Sequence, residues 1–418
     1  MINRLVLTLF IAITFSALAQ NPEWETIPPD YIRTVNFKGS SSEFSGTPII
    51  RLGERLTLEF DDIIGDEEDY YYVIDYYNFD WTPTTISKNE YLEGFDNVRL
   101  VTYENSFNAL QLYSHYTLQI PNEDTKRIEK SGNYMLKIYN DSKELMFSRK
   151  FIVYENLATV KAQVKRMRDQ EFINTKQSVH FSISSDQLLI KNPDIALKTL
   201  VIQNNDLNTA ISNLRPQYNI GNEYVYRYDT ESSFWASNEF LNFDNKDVRA
   251  ATINIKRIEK RDIYHNFLYT DGMRAFEPYT YYPDINGSYR VRTLQGRDED
   301  IEAEYVWMHF SLQCYEDLNG GQLHIYGNFN NYILDDTTKL TYNKERGVYE
   351  NERLFKQGFY NYKYILLNPD GSINPGFISG NFDKTENEYT VLAYYRDIGG
   401  RFDRVIGIGS ANSVNITN

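Results

Sequence analysis

The chain has 418 residues, with 43 Lys and Arg against 58 Asp and Glu and a formal net charge of −15 at pH 7. That balance disfavours nucleic acid and anionic lipid as partners, and the single cysteine, Cys314, excludes an intrachain disulfide. With 35 Tyr and 24 Phe, together with scattered β-branched residues and frequent Asn, Asp and Gly turns, the composition points to an all-β protein held together by its cores.

The first residues read as a secretory signal. Arg4 supplies the positive start, residues 5–15 an apolar core, and Ala17-Leu18-Ala19 the cleavage site. The core is shorter than the ~20 residues of a membrane span, and Gln20 rather than Cys follows the cut. Residues 1–19 are therefore expected to be removed, leaving an exported chain without a lipid anchor and without direct membrane insertion.

A first module is predicted over 20–156. Runs 55–60 and 134–139 alternate apolar and polar residues; the turn Ser131-Gly132-Asn133 enters the second run, which hairpins into 146–153. Between them, 70–81 carries large rings on both faces, as expected of a central strand covered on its second face. Runs 98–101 and 113–120 flank the polar loop 102–111. Asn105, Ser106 and Asn108 can hydrogen-bond nearby backbone there and hold the loop fixed. Pro121-Asn122 stops the strand. The acidic run Asp61, Asp62, Asp66, Glu67, Glu68 and Asp69 is the one calcium candidate, but it lacks alternating ligand spacing and reads as a solvated hairpin loop.

A second module is predicted over 157–297, with strands in 160–164, 179–184, 198–203, 222–228 and 252–257. Segments 122–130 and 206–214 come closest to helical periodicity. The basic run 256–261 is interrupted by Glu259 and reads as a charged strand edge that guards against edge pairing. A third module is predicted over 298–418, with strands in 305–312, 322–327, 340–342, 347–350 and 357–364. Gly- or Pro-rich linkers are absent at both boundaries, so the modules are expected to pack as a rigid rod. The fold class expected is all-β, with tandem immunoglobulin-like β-sandwich modules.

No catalytic constellation emerges. His115, His180, His265, His309 and His324 are widely separated and form no zinc spacing, so hydrogen-bonded structural roles are expected. Gly407-Ile408-Gly409 lacks the strand-to-helix context of a phosphate cradle, and Cys314 reads as a buried inert thiol. Neither cofactor nor metal is expected, and the chain reads as a non-enzyme.

The order Tyr91-Leu92-x-Gly94-Phe95, Ser106-Phe107-Asn108, Tyr113-x-His115-Tyr116-x-Leu118, Pro121-Asn122-Glu123-Asp124, and the tail from Glu386 to Arg396 and Arg401 to Gly407, resembles the plug protein family of the type 9 secretion system of Bacteroidetes. The resemblance implies a periplasmic protein peripheral to the outer membrane. It would act as a monomer within a hetero-complex, binding the periplasmic opening of the translocon barrel and sealing it when no substrate is engaged. Within the third module, Gly327-Asn328-Phe329-Asn330-Asn331-Tyr332 and the strands after it resemble the starch- and glycogen-binding (early-set) sandwich. That implies an alternative, a periplasmic or surface glycan-binding protein using exposed rings from Tyr332 to Tyr342. For a partner interface the candidates are Phe276, Tyr279, Tyr281 and Tyr282, in a loop punctuated by Pro278 and Pro283, together with Tyr332.

Overall fold

A computed structural model describes residues 21–414 and 416; the predicted signal segment lies outside the described residues. Strand dominates, in pairs of facing sheets, as expected of tandem immunoglobulin-like sandwiches.

In the first sandwich, Ile32–Gly39, Leu56–Asp62, Ser114–Ile120 and Tyr103–Asn105 form one sheet. Ile49–Arg51, Leu145–Tyr154, Gly132–Tyr139, Tyr71–Tyr77 and Val98–Arg99 form the other. Period-2 alternation decides which side chains face inward. Leu56, Leu58 and Phe60 lie opposite Ile120, Leu118 and Tyr116. Across the core, Tyr72, Ile74 and Tyr76 lie opposite Ile138, Leu136 and Tyr134. Phe60 meets Phe147 of the other sheet edge-to-face, ring centres 5.2 Å apart, a geometry the aromatic quadrupole favours.

The middle sandwich has one sheet of Thr159–Arg166, Lys176–Ser184, Glu223–Tyr226, Tyr218–Ile220 and Ser233–Trp235. The other consists of Asp206–Ser212, Leu197–Gln203, Glu388–Tyr395 and Arg404–Asn412. Its core is therefore completed by the C-terminal hairpin, with Leu197 opposite Tyr395 and Gln203 opposite Tyr389. The third sandwich lies between these strands in sequence. Leu241–Asp244 and Tyr289–Val291 pair with Gly358–Leu367, and Ile255–Lys260 and Tyr264–Leu268 join Tyr305–Leu312, Val348–Lys356 and Thr341–Asn343. Sheet membership thus crosses the expected 297/298 boundary in both directions. Alternation identifies a strand and its buried face, but not which strand it pairs with.

Segments 122–130 and 206–214 hold the strands Thr125–Ile128 and Asp206–Ser212, not helices. Ile255–Lys260, which carries most of the basic run, is the edge strand of its sheet.

The first and third sandwiches share one local device. Lys130-Ser131-Gly132-Asn133-Tyr134-Met135-Leu136-Lys137 and Lys356-Gln357-Gly358-Phe359-Tyr360-Asn361-Tyr362-Lys363 both read K-x-G-x-Y-x-x-K. In each, the tyrosine hydroxyl donates to the carbonyl of the leading lysine, at 2.7 Å for Tyr134 and 2.7 Å for Tyr360, a tyrosine corner. Glycine is required in both because a Cβ would stand 2.3 Å from the Tyr76 hydroxyl at Gly132 and 2.3 Å from the Arg290 carbonyl oxygen at Gly358.

Each sandwich touches both others, so the rod arrangement expected from sequence is replaced by a closed triangle. First meets middle where Tyr394 donates to Asn133 Oδ1 (2.8 Å) and Tyr76 to the Asp403 carbonyl (2.6 Å). An apolar cluster including Ile152, Leu200, Leu392 and Val405 spans that joint. Middle meets third where Asn208 Nδ2 donates to the Tyr332 carbonyl (3.1 Å) and the Tyr332 hydroxyl to the Asn204 carbonyl (3.1 Å). First meets third around Asp61.

Candidate partner interface

The Asp61 joint is built from strand ends. Asp61, near the end of Leu56–Asp62, accepts from Lys356 Nζ (2.8 Å) and the Tyr305 hydroxyl (2.6 Å), and it pairs with His115 Nδ1 (2.7 Å). Both side chains of the Asp61–Lys356 pair are 1% exposed. Burial alone would raise the Asp61 carboxyl, but Lys356 and His115 outweigh it and hold the group below the usual carboxylate range. This corrects the reading of 61–69 as a solvated loop with a calcium option at two residues: Asp61 and Asp62 are buried, and Asp61 is committed to protein partners, whereas Asp66, Glu67 and Glu68 are exposed. Among the described residues no group of three or more His, Cys, Asp or Glu is placed to hold a metal ion.

Of the candidate interface rings, the structure exposes three. Phe276 is 77%, Tyr281 53% and Tyr282 58% exposed. The loop bearing them has no regular strand, yet it is fixed from beneath. The backbone N–H groups of Arg274 and Ala275 donate to the Ile378 carbonyl (2.8 and 3.0 Å). The Arg274 guanidinium donates to the Glu239 carbonyl (2.8 Å) and Ser379 Oγ (3.2 Å). Asp271, at the loop's start, accepts the Tyr362 and Tyr364 hydroxyls at 2.9 Å each. Tyr279 plays a different part: half-buried, it donates to Glu239 Oε1 at 2.5 Å and anchors the loop. Burial pushes the Glu239 carboxyl up to about 7.

Tyr332 does not belong to this surface. At 3% exposure it is core, packed 5.0 Å from the Tyr326 ring, because the chain turns inward at left-handed Asn331 and Tyr332 to seal the joint with the middle sandwich. The exposed ring on which the glycan-binding alternative depended is therefore absent at this position.

A second apolar surface was not singled out from sequence. Ile64, Val101, Phe107, Leu110 and Leu112 are exposed in or beside the loop 102–111. As expected, this loop is fixed: Ser106 Oγ accepts from Tyr113 N–H (2.9 Å), and Asn105 Oδ1 accepts from Ser114 Oγ (2.9 Å). It also leans on the third sandwich, with Phe107 N–H donating to the Ile301 carbonyl (2.8 Å) and Leu110 N–H to Glu304 Oε2 (2.8 Å). The signal that could have found it is the recurrence of apolar residues in an otherwise polar loop. A third feature, a groove of about 720 Å³, opens where all three sandwiches meet and is lined by Trp24, Trp81, Leu207, Leu334 and Ile373. Lys150 Nζ there lies over both tryptophans, 4.4 Å from Trp81 and 5.4 Å from Trp24.

Among the remaining histidines, His309 stacks on Phe267 with ring centres 4.0 Å apart, and His324 pairs with Thr338 Oγ1 at 2.9 Å. Cys314 is a buried free thiol, pushed up by burial. No described helix is long and apolar enough to cross a membrane.

Residues 32–155 match the family model described as the type 9 secretion system plug protein 1st domain. A crystal structure of a hypothetical protein from Parabacteroides merdae, at 2.30 Å resolution, is similar at 30% identity with a TM-score of 0.89. The similarity covers 94% of this chain and 100% of that one. No curated protein matches the chain.

Proposed function

The chain belongs to the type 9 secretion system plug protein family, and from that membership we propose that it is a non-enzymatic periplasmic plug. In this reading it binds the periplasmic opening of the type 9 outer-membrane translocon barrel and seals it when no substrate is engaged. The observation that carries the proposal is the family match over the first sandwich. A seal must resist deformation, and the three mutually contacting sandwiches supply that rigidity through buried polar and aromatic joints rather than flexible linkers. Gating then follows from mass action: plug and cargo favour different barrel states, so occupancy at one mouth shifts affinity at the other.

The docking face in this proposal includes Phe276, Tyr281 and Tyr282. A loop held in place before binding loses little conformational freedom when a partner covers it, and aromatic anchors dominate interface energetics. The test is a Phe276→Ser, Tyr281→Ser, Tyr282→Ser variant assayed for binding to the purified barrel. The expected result is at least a tenfold loss of affinity with an unchanged thermal midpoint. Wild-type affinity in that variant would remove this loop from the interface.

A further inference from the structure

Two arginines occupy positions where strand alternation calls for apolar side chains. Arg149 lies between inward-facing Phe147 and Phe151 of the first sandwich, and all three are buried. Arg353 lies opposite Met308, a residue of the third core. Among the described residues neither makes an ion pair. Arg149 Nη1 donates to the Ser148 carbonyl at 2.9 Å and lies over the Phe147 ring. Arg353 donates to Thr337 Oγ1 and lies over Phe329.

A third guanidinium, that of Arg33, converges on the same place. Its Nη2 reaches the exposed carboxylate of Asp30 at 3.4 Å, while its Nε is buried with no hydrogen-bond partner. Together Arg33, Arg149 and Arg353 line a crevice of about 80 Å³ between the first and third sandwiches. Two carboxylates line the crevice as well, Asp30 and Asp335, and their charges favour the ionised Arg353, as that of Glu25 favours Arg149. None of the three makes an ion pair with Arg149 or Arg353: Asp335 Oδ1 accepts from Thr337 N–H (2.9 Å) and Thr338 N–H (3.1 Å), and Glu25 from Lys150 N–H and Asn331. Burial and the neighbouring Arg33 charge push the Arg353 guanidinium down to about 10.

Burying a guanidinium without a counter-charge is costly, and planar N–H forks match oxyanions bidentately. We propose that this crevice is a binding site for a small oxyanion, which bridges the first and third sandwiches through Arg33, Arg149 and Arg353. A free phosphate and the carboxylate of a partner's side chain present the same chemistry to it. The proposal rests on the three arginines and is independent of the plug reading.

The test uses the exported chain, titrated with inorganic phosphate and, separately, with acetate, at ionic strength held constant with sodium chloride. Binding is read by calorimetry and by the thermal midpoint. The expected result is a saturable rise in midpoint with phosphate, weakened at least tenfold in Arg33→Gln. Without phosphate, Arg353→Gln should melt at or above the wild type, because it removes a half-buried charge that makes no ion pair; at saturating phosphate the order should invert. A response to acetate but not phosphate would assign the site to a carboxylate. No response to either anion, or an undiminished one in Arg33→Gln, would overturn the proposal.

Discussion

Asp61 and Glu239 are both buried carboxylates shifted in opposite directions, the first lowered by its neighbours and the second raised by burial. Asp61 faces Lys356 and His115 and is held low, so its ionised form stabilises the fold above its ordinary value of 3.8 and that share is lost as pH falls through the lowered value. Burial would lower His115, but its hydrogen bond to Asp61 outweighs this and raises it above 6.5. Its contribution is complete below 6.5 and lost as pH rises through the folded value. His115→Gln should therefore flatten the loss of thermal midpoint on the alkaline side. Asp61→Asn strands Lys356 without a counter-charge and should cost about 3–5 kcal/mol in denaturant unfolding. Glu239, raised by burial to about 7 from 4.5, binds its proton more tightly when folded. Stability should fall as pH rises from 4.5 to 7, by up to about 3 kcal/mol, and Glu239→Gln should abolish that slope.

At the scale of elements, the K-x-G-x-Y-x-x-K phrase makes two strand starts interchangeable in design. Tyr360→Phe should cost about 1 kcal/mol by removing one hydrogen bond. Gly358→Ala should cost more, about 1–3 kcal/mol, because the Arg290 backbone has nowhere to yield; equilibrium unfolding of both variants checks the ranking. Most strands were legible from sequence, since alternation in 55–60, 134–139 and 305–312 marks a strand, although both faces of Gly132–Tyr139 are covered. Their partners were not: nothing in Leu197–Gln203 says that it pairs with Glu388–Tyr395, almost two hundred residues later. For the candidate interface, the aromatic loop 276–282 was legible because prolines punctuate it. Tyr332 was misplaced because a Gly-x-Phe-Asn turn does not reveal that another sandwich covers it. The crevice arginines were overlooked because Arg149 beside Lys150, and Arg353 after Glu350-Asn351-Glu352, look like ordinary solvent-facing charges until the opposite module is placed against them.

For the molecule as a whole, the interlaced topology makes the middle sandwich depend on the C-terminal hairpin. A fragment ending at residue 385 removes only the strands Glu388–Tyr395 and Arg404–Asn412 and should leave the middle sandwich unfolded; a single transition with the full near-ultraviolet dichroism of the whole chain would contradict this. The closed triangle also gives the plug reading its physical content, a rigid body offering fixed apolar loops to one large partner. The most direct measurement is an affinity pull-down of the tagged native protein from detergent-solubilised envelopes, read by mass spectrometry. Stoichiometric recovery of a very large outer-membrane β-barrel, enriched when its cargo-carrying components are absent, is the predicted result. Recovery of the protein alone, or with glycan fragments and no barrel, would contradict it.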